Sequence, residues 1–129
     1  MPAPEHEEVA GLLLEKAKED LSAAEALIAA GDQADYVVGF HLQQSVEKAL
    51  KAILAAQAVE IPRTHDLAYL TEQISELGIE TPQALASCDW LTPWGVLFRY
   101  DTEPDDLDRA AGVEAALAAI ALASESISA

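Results

Sequence analysis

Apolar residues recur every three or four positions in several long stretches of the chain, which is the spacing of a helix with one packed face. The first stretch predicts a helix over residues 5–30, and Gly31 is placed to end it in a left-handed conformation. The second predicts a helix over about residues 33–58, capped at its start by Asp32 or Asp35. An Ile-Pro pair sets its end, because the residue before a proline is pushed out of the helical region.

Three further helices are predicted from similar signals. Thr64 is expected to cap a third helix, whose apolar residues continue until Gly78. A Thr-Pro pair at residues 81–82 predicts the start of a fourth helix, which a second such pair at residues 92–93 kinks or splits. A final helix follows the acidic loop over residues 101–106. We therefore expect an all-α fold, an antiparallel up-and-down four-helix bundle with an extra short helix.

Length and composition indicate one domain that covers residues 1–129. Apolar residues make up 51% of the chain, which is enough for a single core. The single cysteine, Cys88, cannot form an internal disulfide, and the start of the chain is acidic rather than a basic and apolar leader. No uninterrupted apolar run is long enough to span a bilayer. We expect a cytoplasmic protein without membrane association.

The sequence offers no metal or phosphate-loop motif. No pair of cysteines or histidines has the spacing of metal ligands, so no metal and no cofactor are expected. The six glycines are scattered rather than gathered in a phosphate-binding loop. A bound nucleotide would have to be held by side chains or helix ends.

Positive charge is scarce and concentrated. The chain has 7 Lys and Arg against 23 Asp and Glu, a formal net charge of −16, and such a field disfavours broad nucleic-acid binding. Residues 36–65 nevertheless carry a net charge of +1, because Lys48, Lys51 and Arg63 lie there with only two carboxylates. A local anion site is compatible with this pattern, since salt screens the distant field over about 8 Å.

The second predicted helix presents three different faces. One is apolar and packs, and one is polar and carries both lysines. The third is a stripe that we predict to be a homodimer interface, because two of its residues are aromatic and lie outside the main core face. Its members are Tyr36, Phe40, Gln43 and Glu47. The alternative is that a neighbouring helix of the same chain covers this stripe.

Five residues are predicted to form an anion-binding site, and no catalytic residue is assigned. They are Lys48, Lys51, Arg63, His65 and Arg99. Arginine is included because a guanidinium holds phosphate in a bidentate way. The alternative for the cations is internal pairing with carboxylates. For His65, in the first turn of a predicted helix, the alternatives are anion binding, proton donation or a capping and packing role.

Several motifs together resemble the HEPN domain family, in the right order over roughly residues 10–127. They are Asp20-Leu21 with Ala24, then Tyr36, then residues 40–52, then Thr64-His65-Asp66-Leu67 with Leu70, then Arg99-Tyr100. The resemblance implies a small helical bundle that usually dimerises and is found in prokaryotic cytoplasm. Such proteins are often encoded beside a minimal nucleotidyltransferase as a toxin and antitoxin pair. The family is named for nucleotide binding, and many members are metal-independent ribonucleases.

The sequence departs from the ribonuclease members of that family in one motif. Those members carry an arginine, four to six intervening residues and then a histidine, and no histidine lies at these positions after Arg63, Arg99 or Arg109. We therefore expect a non-catalytic domain that dimerises and binds a nucleotide-like ligand or a nucleotidyltransferase partner. The alternatives are a ribonuclease with a nonstandard site formed by His65 with Arg99 and Arg63, and a purely structural dimerisation module.

Overall fold

All regular elements in the described residues are helices. The computed structural model describes residues 4–31, 34–95 and 106–128. The helices are α1 (Pro4–Ala30), α2 (Asp35–Ala56), α3 (Leu67–Glu76), α4 (Gln83–Ala86), a 3₁₀ helix (Cys88–Gly95) and α5 (Arg109–Ser128). The predicted all-α class is confirmed, while the antiparallel four-helix bundle stays a prediction.

Glycine ends two of these helices as expected. Gly31 has φ +89° after α1, and Gly78 has φ +83° after α3. Of the two predicted caps of α2, Asp35 does not act as one, because it is the first helical residue and its carboxylate is engaged elsewhere. Arg109 Nη2 donates to Asp35 Oδ1 at 2.8 Å, which joins the start of α2 to the start of α5. Asp32, the other predicted cap, lies outside the described residues.

The cap of α3 also differs from the prediction. Asp66 Oδ1, and not Thr64, accepts from the backbone N–H groups of Ala68 at 3.0 Å and Tyr69 at 3.4 Å. Thr64 Oγ1 instead accepts from the N–H of Asp66 at 3.1 Å. The predicted Thr64 cap is therefore wrong by two residues, because Asp66 offers a carboxylate at the position where the backbone is still extended.

The predicted fourth helix divides before its second proline. It forms only the four-residue α4, and the 3₁₀ helix that follows contains Pro93. Cys88, Leu91 and Trp94 are the buried residues of this 3₁₀ helix. They are three positions apart, and a 3₁₀ helix has three residues per turn, so they form one row that faces the core.

The core is built around α2, which packs against α1, α3, α5 and the 3₁₀ helix. Leu42, Leu50 and Ile53 of α2 are fully buried. The facing sides of α1 and α5 are rich in alanine, and small residues allow helices to approach α2 closely. Ser45 of α2 donates its hydroxyl to the carbonyl of Ala17 in α1 at 2.8 Å. This buried hydrogen bond joins the middle of α2 to α1.

One described helix, α5, is long and apolar enough to cross a membrane by length and composition alone. One such helix is weak evidence, because the core helices of other proteins meet the same criteria.

Replacing Gly39 with alanine should lower the free energy of unfolding by about 1–3 kcal/mol, which is typical of overpacking. A Cβ atom at Gly39 would lie 2.8 Å from Cδ2 of Trp94, and the large indole ring cannot rotate away cheaply inside the core. Urea denaturation followed by tryptophan fluorescence measures the change. The matched control is Gly11→Ala in α1, where nothing lies within 4 Å and a gain of about 0.5–1 kcal/mol is expected. Equal stability of the two variants would contradict the packing at Gly39.

Candidate functional site

The polar face of α2 and the adjoining stripe with Gln43 and Glu47 take part in two groups of side chains, each centred on a carboxylate. The first, the Asp20 cluster, consists of Asp20, His41 and Lys48. The second, the Glu47 cluster, consists of Gln43, Glu47, Lys51 and His65. Together they contain three of the five residues that were predicted to bind an anion.

The Asp20 cluster joins α1 to α2. Lys48 Nζ donates to Asp20 Oδ2 at 2.7 Å, and His41 Nδ1 lies 3.0 Å from Asp20 Oδ1. Because an ionised carboxylate only accepts hydrogen bonds, Nδ1 is the protonated nitrogen of His41 in this contact. His41 and Lys48 are seven positions apart, close to two helical turns, so one carboxylate of α1 reaches both.

The Glu47 cluster is more deeply placed. Glu47 is buried, and its Oε2 accepts from Lys51 Nζ at 2.9 Å. Its Oε1 accepts from Gln43 Nε2 at 3.0 Å and lies 2.9 Å from His65 Nδ1. Gln43, Glu47 and Lys51 are spaced by four residues and so form one row along α2. The contact with His65 holds the connection between α2 and α3 against this row.

The environment of Glu47 lowers its pKa. Burial raises the pKa, but the hydrogen bonds from Gln43, Lys51 and His65 outweigh that effect, so the pKa lies below its ordinary value of 4.5. Glu47 is therefore ionised at neutral pH, and its charge offsets that of Lys51.

This lowered pKa predicts that acid destabilises the fold through Glu47. The stabilisation is complete above the unfolded-state pKa and is lost as the pH falls through the lower folded-state pKa. The free energy of unfolding should therefore fall below about pH 4.5, more steeply in the wild type than in Glu47→Gln. Urea denaturation between about pH 6 and pH 3 measures the two slopes. Glu72→Gln, which alters an exposed carboxyl group, is the control and should keep the wild-type slope. Parallel curves for the wild type and Glu47→Gln would contradict the prediction.

The predicted anion-binding residues have different environments. Lys48 keeps 29% of its side chain exposed, but Lys51 keeps only 14%. His65 is 76% exposed, and Arg63 is also exposed in the same connection. Arg99 lies outside the described residues. Lys48 and Lys51 both pair with carboxylates of the same chain, which was the alternative that the sequence left open.

The predicted dimer stripe is divided between the interior and the surface. Gln43 and Glu47 are buried within the chain, so they cannot contact a second copy in this conformation. Residues from outside α2 cover both side chains. His65 contacts Glu47, and Gly95 lies so close to Gln43 that a Cβ atom on it would be 2.6 Å from Gln43 Cδ. Tyr36 is exposed and Phe40 is half-buried. The homodimer therefore stays a prediction that these two aromatic residues alone can support.

The carboxylate that pairs with Lys48 was not identified from the sequence. Asp20 was assigned no role, although it lies beside the buried Ala17, Leu21 and Ala24 and so at the edge of the packed face of α1. A carboxylate at such an edge is a signal of a cross-helix contact. Within the described residues, no group of three His, Cys, Asp or Glu could hold a metal ion. Burial raises the pKa of the Cys88 thiol to about 11, which keeps it a neutral packing group.

Comparison with known proteins adds one finding. The family model described as HEPN domain matches residues 10–128 of this 129-residue chain. No curated protein and no solved structure matches the chain. The match extends over α1 to α5 and includes both carboxylate clusters.

Proposed function

Because the chain belongs to the HEPN domain family, we propose that it is a non-catalytic HEPN-type module that dimerises and binds a nucleotide-like ligand on the polar face of α2. The observation that carries this proposal is the gathering of two lysines and two histidines around the Asp20 and Glu47 carboxylates, in a chain with a net charge of −16. The lysines are Lys48 and Lys51, the histidines are His41 and His65, and Arg63 is exposed in the connection that carries His65.

Three of these residues are suited to contact the ligand directly. Lys48 uses one donor on Asp20, and an ammonium group has three, so further donors are free for a phosphate oxygen. Arg63 is exposed and can hold a phosphate group in a bidentate way. His65 contacts Glu47 through Nδ1, which leaves Nε2 on its exposed side. Lys51 is mostly buried and serves to support Glu47.

A protein ligand is the second form of the same proposal. An acidic patch on a nucleotidyltransferase partner would meet the same cations, as in a toxin–antitoxin type module. The dimer would use Tyr36 and Phe40, which lie at the start of α2. We also propose that the helices are arranged as an antiparallel four-helix bundle.

Calorimetric titration with ATP tests the nucleotide form. We expect saturable binding to the wild type, and affinity reduced by about tenfold or more in Arg63→Ala, which corresponds to about 1.4 kcal/mol or more. Arg63 is exposed, so the variant should unfold at the wild-type urea concentration. Lys18→Ala removes an equally positive residue from the exposed side of α1 and should bind like the wild type. No heat from ATP or from a short RNA would overturn the nucleotide form and leave the partner form.

Ribonuclease activity is a second candidate function, and the contact between Glu47 and His65 favours it. A carboxylate that binds one imidazole nitrogen fixes the tautomer and leaves the other nitrogen to exchange protons with a substrate. The missing arginine-to-histidine spacing argues against it, so we expect no RNA cleavage above background by purified protein. Incubation of labelled RNA with the wild type and with His65→Ala decides the matter. Cleavage by the wild type that disappears in the variant would establish the enzyme.

A further inference from the structure

The outer face of α5 presents exposed apolar residues between carboxylates. Ala110, Glu114, Leu117, Ala121 and Glu125 follow one another at steps of three or four residues along α5, and all five are exposed. Leu117 keeps 53% of its surface exposed, and Ala121 is exposed one turn further along. The buried side of the same helix is built of small residues. The larger apolar residue Leu117 therefore points away from the core.

A groove lies beside this face, between α5 and the connection that precedes α4. It has a volume of about 560 Å³, and Ala118, Ala121 and Leu122 supply its apolar side. Glu80 and Glu125 line it from opposite elements. A second hollow of about 420 Å³ between α3 and α4 shares one lining residue, Thr81, with the first. The two hollows therefore adjoin.

All ionisable residues that line these two hollows are carboxylic acids. They are Glu72, Glu76, Glu80 and Glu125. No lysine or arginine lines either hollow in the part of the chain that the structure describes. The surface thus combines an apolar strip with a negative margin, and this combination is complementary to a segment that carries apolar residues on one side and cations beside them.

We propose that the outer face of α5 and the adjoining groove bind a cationic amphipathic helix of a partner protein. Its apolar side chains cover Ala118, Ala121 and Leu122, and its lysine or arginine residues pair with Glu80 and Glu125. A second copy of this chain fits the surface poorly, because two such faces would bring carboxylates together in chains that each carry a net charge of −16. The same carboxylates repel anionic lipid headgroups.

A synthetic peptide tests the surface directly. The probe is a fluorescein-labelled peptide of about 18 residues, or five helical turns, with leucine and lysine at helical spacing. The comparison is a peptide of the same composition whose leucines are not on one face. We expect the amphipathic peptide to bind at least about tenfold more tightly by fluorescence anisotropy at about 0.15 M salt. Equal affinity would show attraction to the net charge only and would overturn the proposal.

Two variants locate the binding on the protein. Ala121→Glu places a charge in the apolar strip at an exposed position and should abolish the preference for the amphipathic peptide without changing the circular dichroism. The double variant Glu80→Gln, Glu125→Gln should weaken binding about fivefold or more. The control double variant Glu5→Gln, Glu8→Gln, which makes the same change in net charge on α1, should not.

Unchanged binding in both groove variants would overturn the proposal. So would sedimentation that shows a wild-type dimer dissociated by Ala121→Glu, because a second copy would then cover the face. Binding of the wild type to phosphatidylcholine vesicles that Ala121→Glu abolishes would assign the face to a membrane and would likewise overturn it.

Discussion

Replacing Leu50 with alanine should lower the free energy of unfolding by about 2–5 kcal/mol, the range for truncation of a buried leucine. Leu50 is fully buried in the middle of α2, the helix against which α1, α3, α5 and the 3₁₀ helix pack. The loss has two parts. One is the hydrophobic free energy that the removed methyl groups contributed by being buried, and the other is the cost of the cavity that the neighbouring side chains do not fill. Urea denaturation followed by circular dichroism measures the shift in midpoint at constant slope.

The control for this prediction is a leucine of the same size on the surface. Leu12 in α1 is 60% exposed, so Leu12→Ala should change stability by no more than about 0.5 kcal/mol. A loss of less than about 1 kcal/mol in Leu50→Ala would show that the core around α2 closes over the missing atoms.

Replacing Glu47 with alanine should lower the free energy of unfolding by about 3 kcal/mol, because the change leaves a poorly hydrated charge without its partner. Lys51 is largely shielded from water, and Glu47 is the partner that offsets its charge in the cluster. Gln43 also loses an acceptor in the buried row. The connection that carries His65 loses a contact with α2, so hydrogen exchange after residue 57 should rise as well.

The matched control is a pair of the same chemical type on the surface of α1. Lys18 Nζ lies 3.7 Å from Glu15 Oε1, and both side chains are well exposed. Glu15→Ala should therefore lower the free energy of unfolding by less than about 1 kcal/mol. The double variant Glu47→Ala, Lys51→Ala should lose clearly less free energy of unfolding than the sum of the losses in the two single variants. The reason is that the second change removes the charge that the first left unpaired. Additive losses would show that Lys51 does not depend on Glu47.

The sequence was sufficient for features that depend on local spacing. The helical period placed α1 and α2 to within a few residues, and Gly31 and Gly78 were recognised because a left-handed residue ends a helix at little cost in glycine. The position of Pro93 was harder to interpret. A proline before a predicted turn of α-helix reads as a kink, but the tertiary row formed by Cys88, Leu91 and Trp94 selects a 3₁₀ helix there.

The candidate site also depends on contacts that local spacing does not predict. The scarcity of positive charge identified Lys48 and Lys51. Their partners could not be predicted equally well, because the pairing of Lys48 with Asp20 depends on how two helices lie against each other. The burial of Gln43 and Glu47 likewise depends on where the connection after α2 returns. Helical spacing predicts which residues share a face, but it does not predict what covers that face.

The ion pair between Asp35 and Arg109 has a consequence for the order in which the chain folds. It closes a segment of 74 residues, whereas the pair between Asp20 and Lys48 closes one of 28. Each doubling of loop length adds about 0.6 kcal/mol of closure entropy, so contacts between α1 and α2 are the less costly ones to form early. We expect these two helices to form a hairpin first, with α5 docking afterwards onto a surface that is already assembled. α5 would then be the last helix of the chain to become ordered.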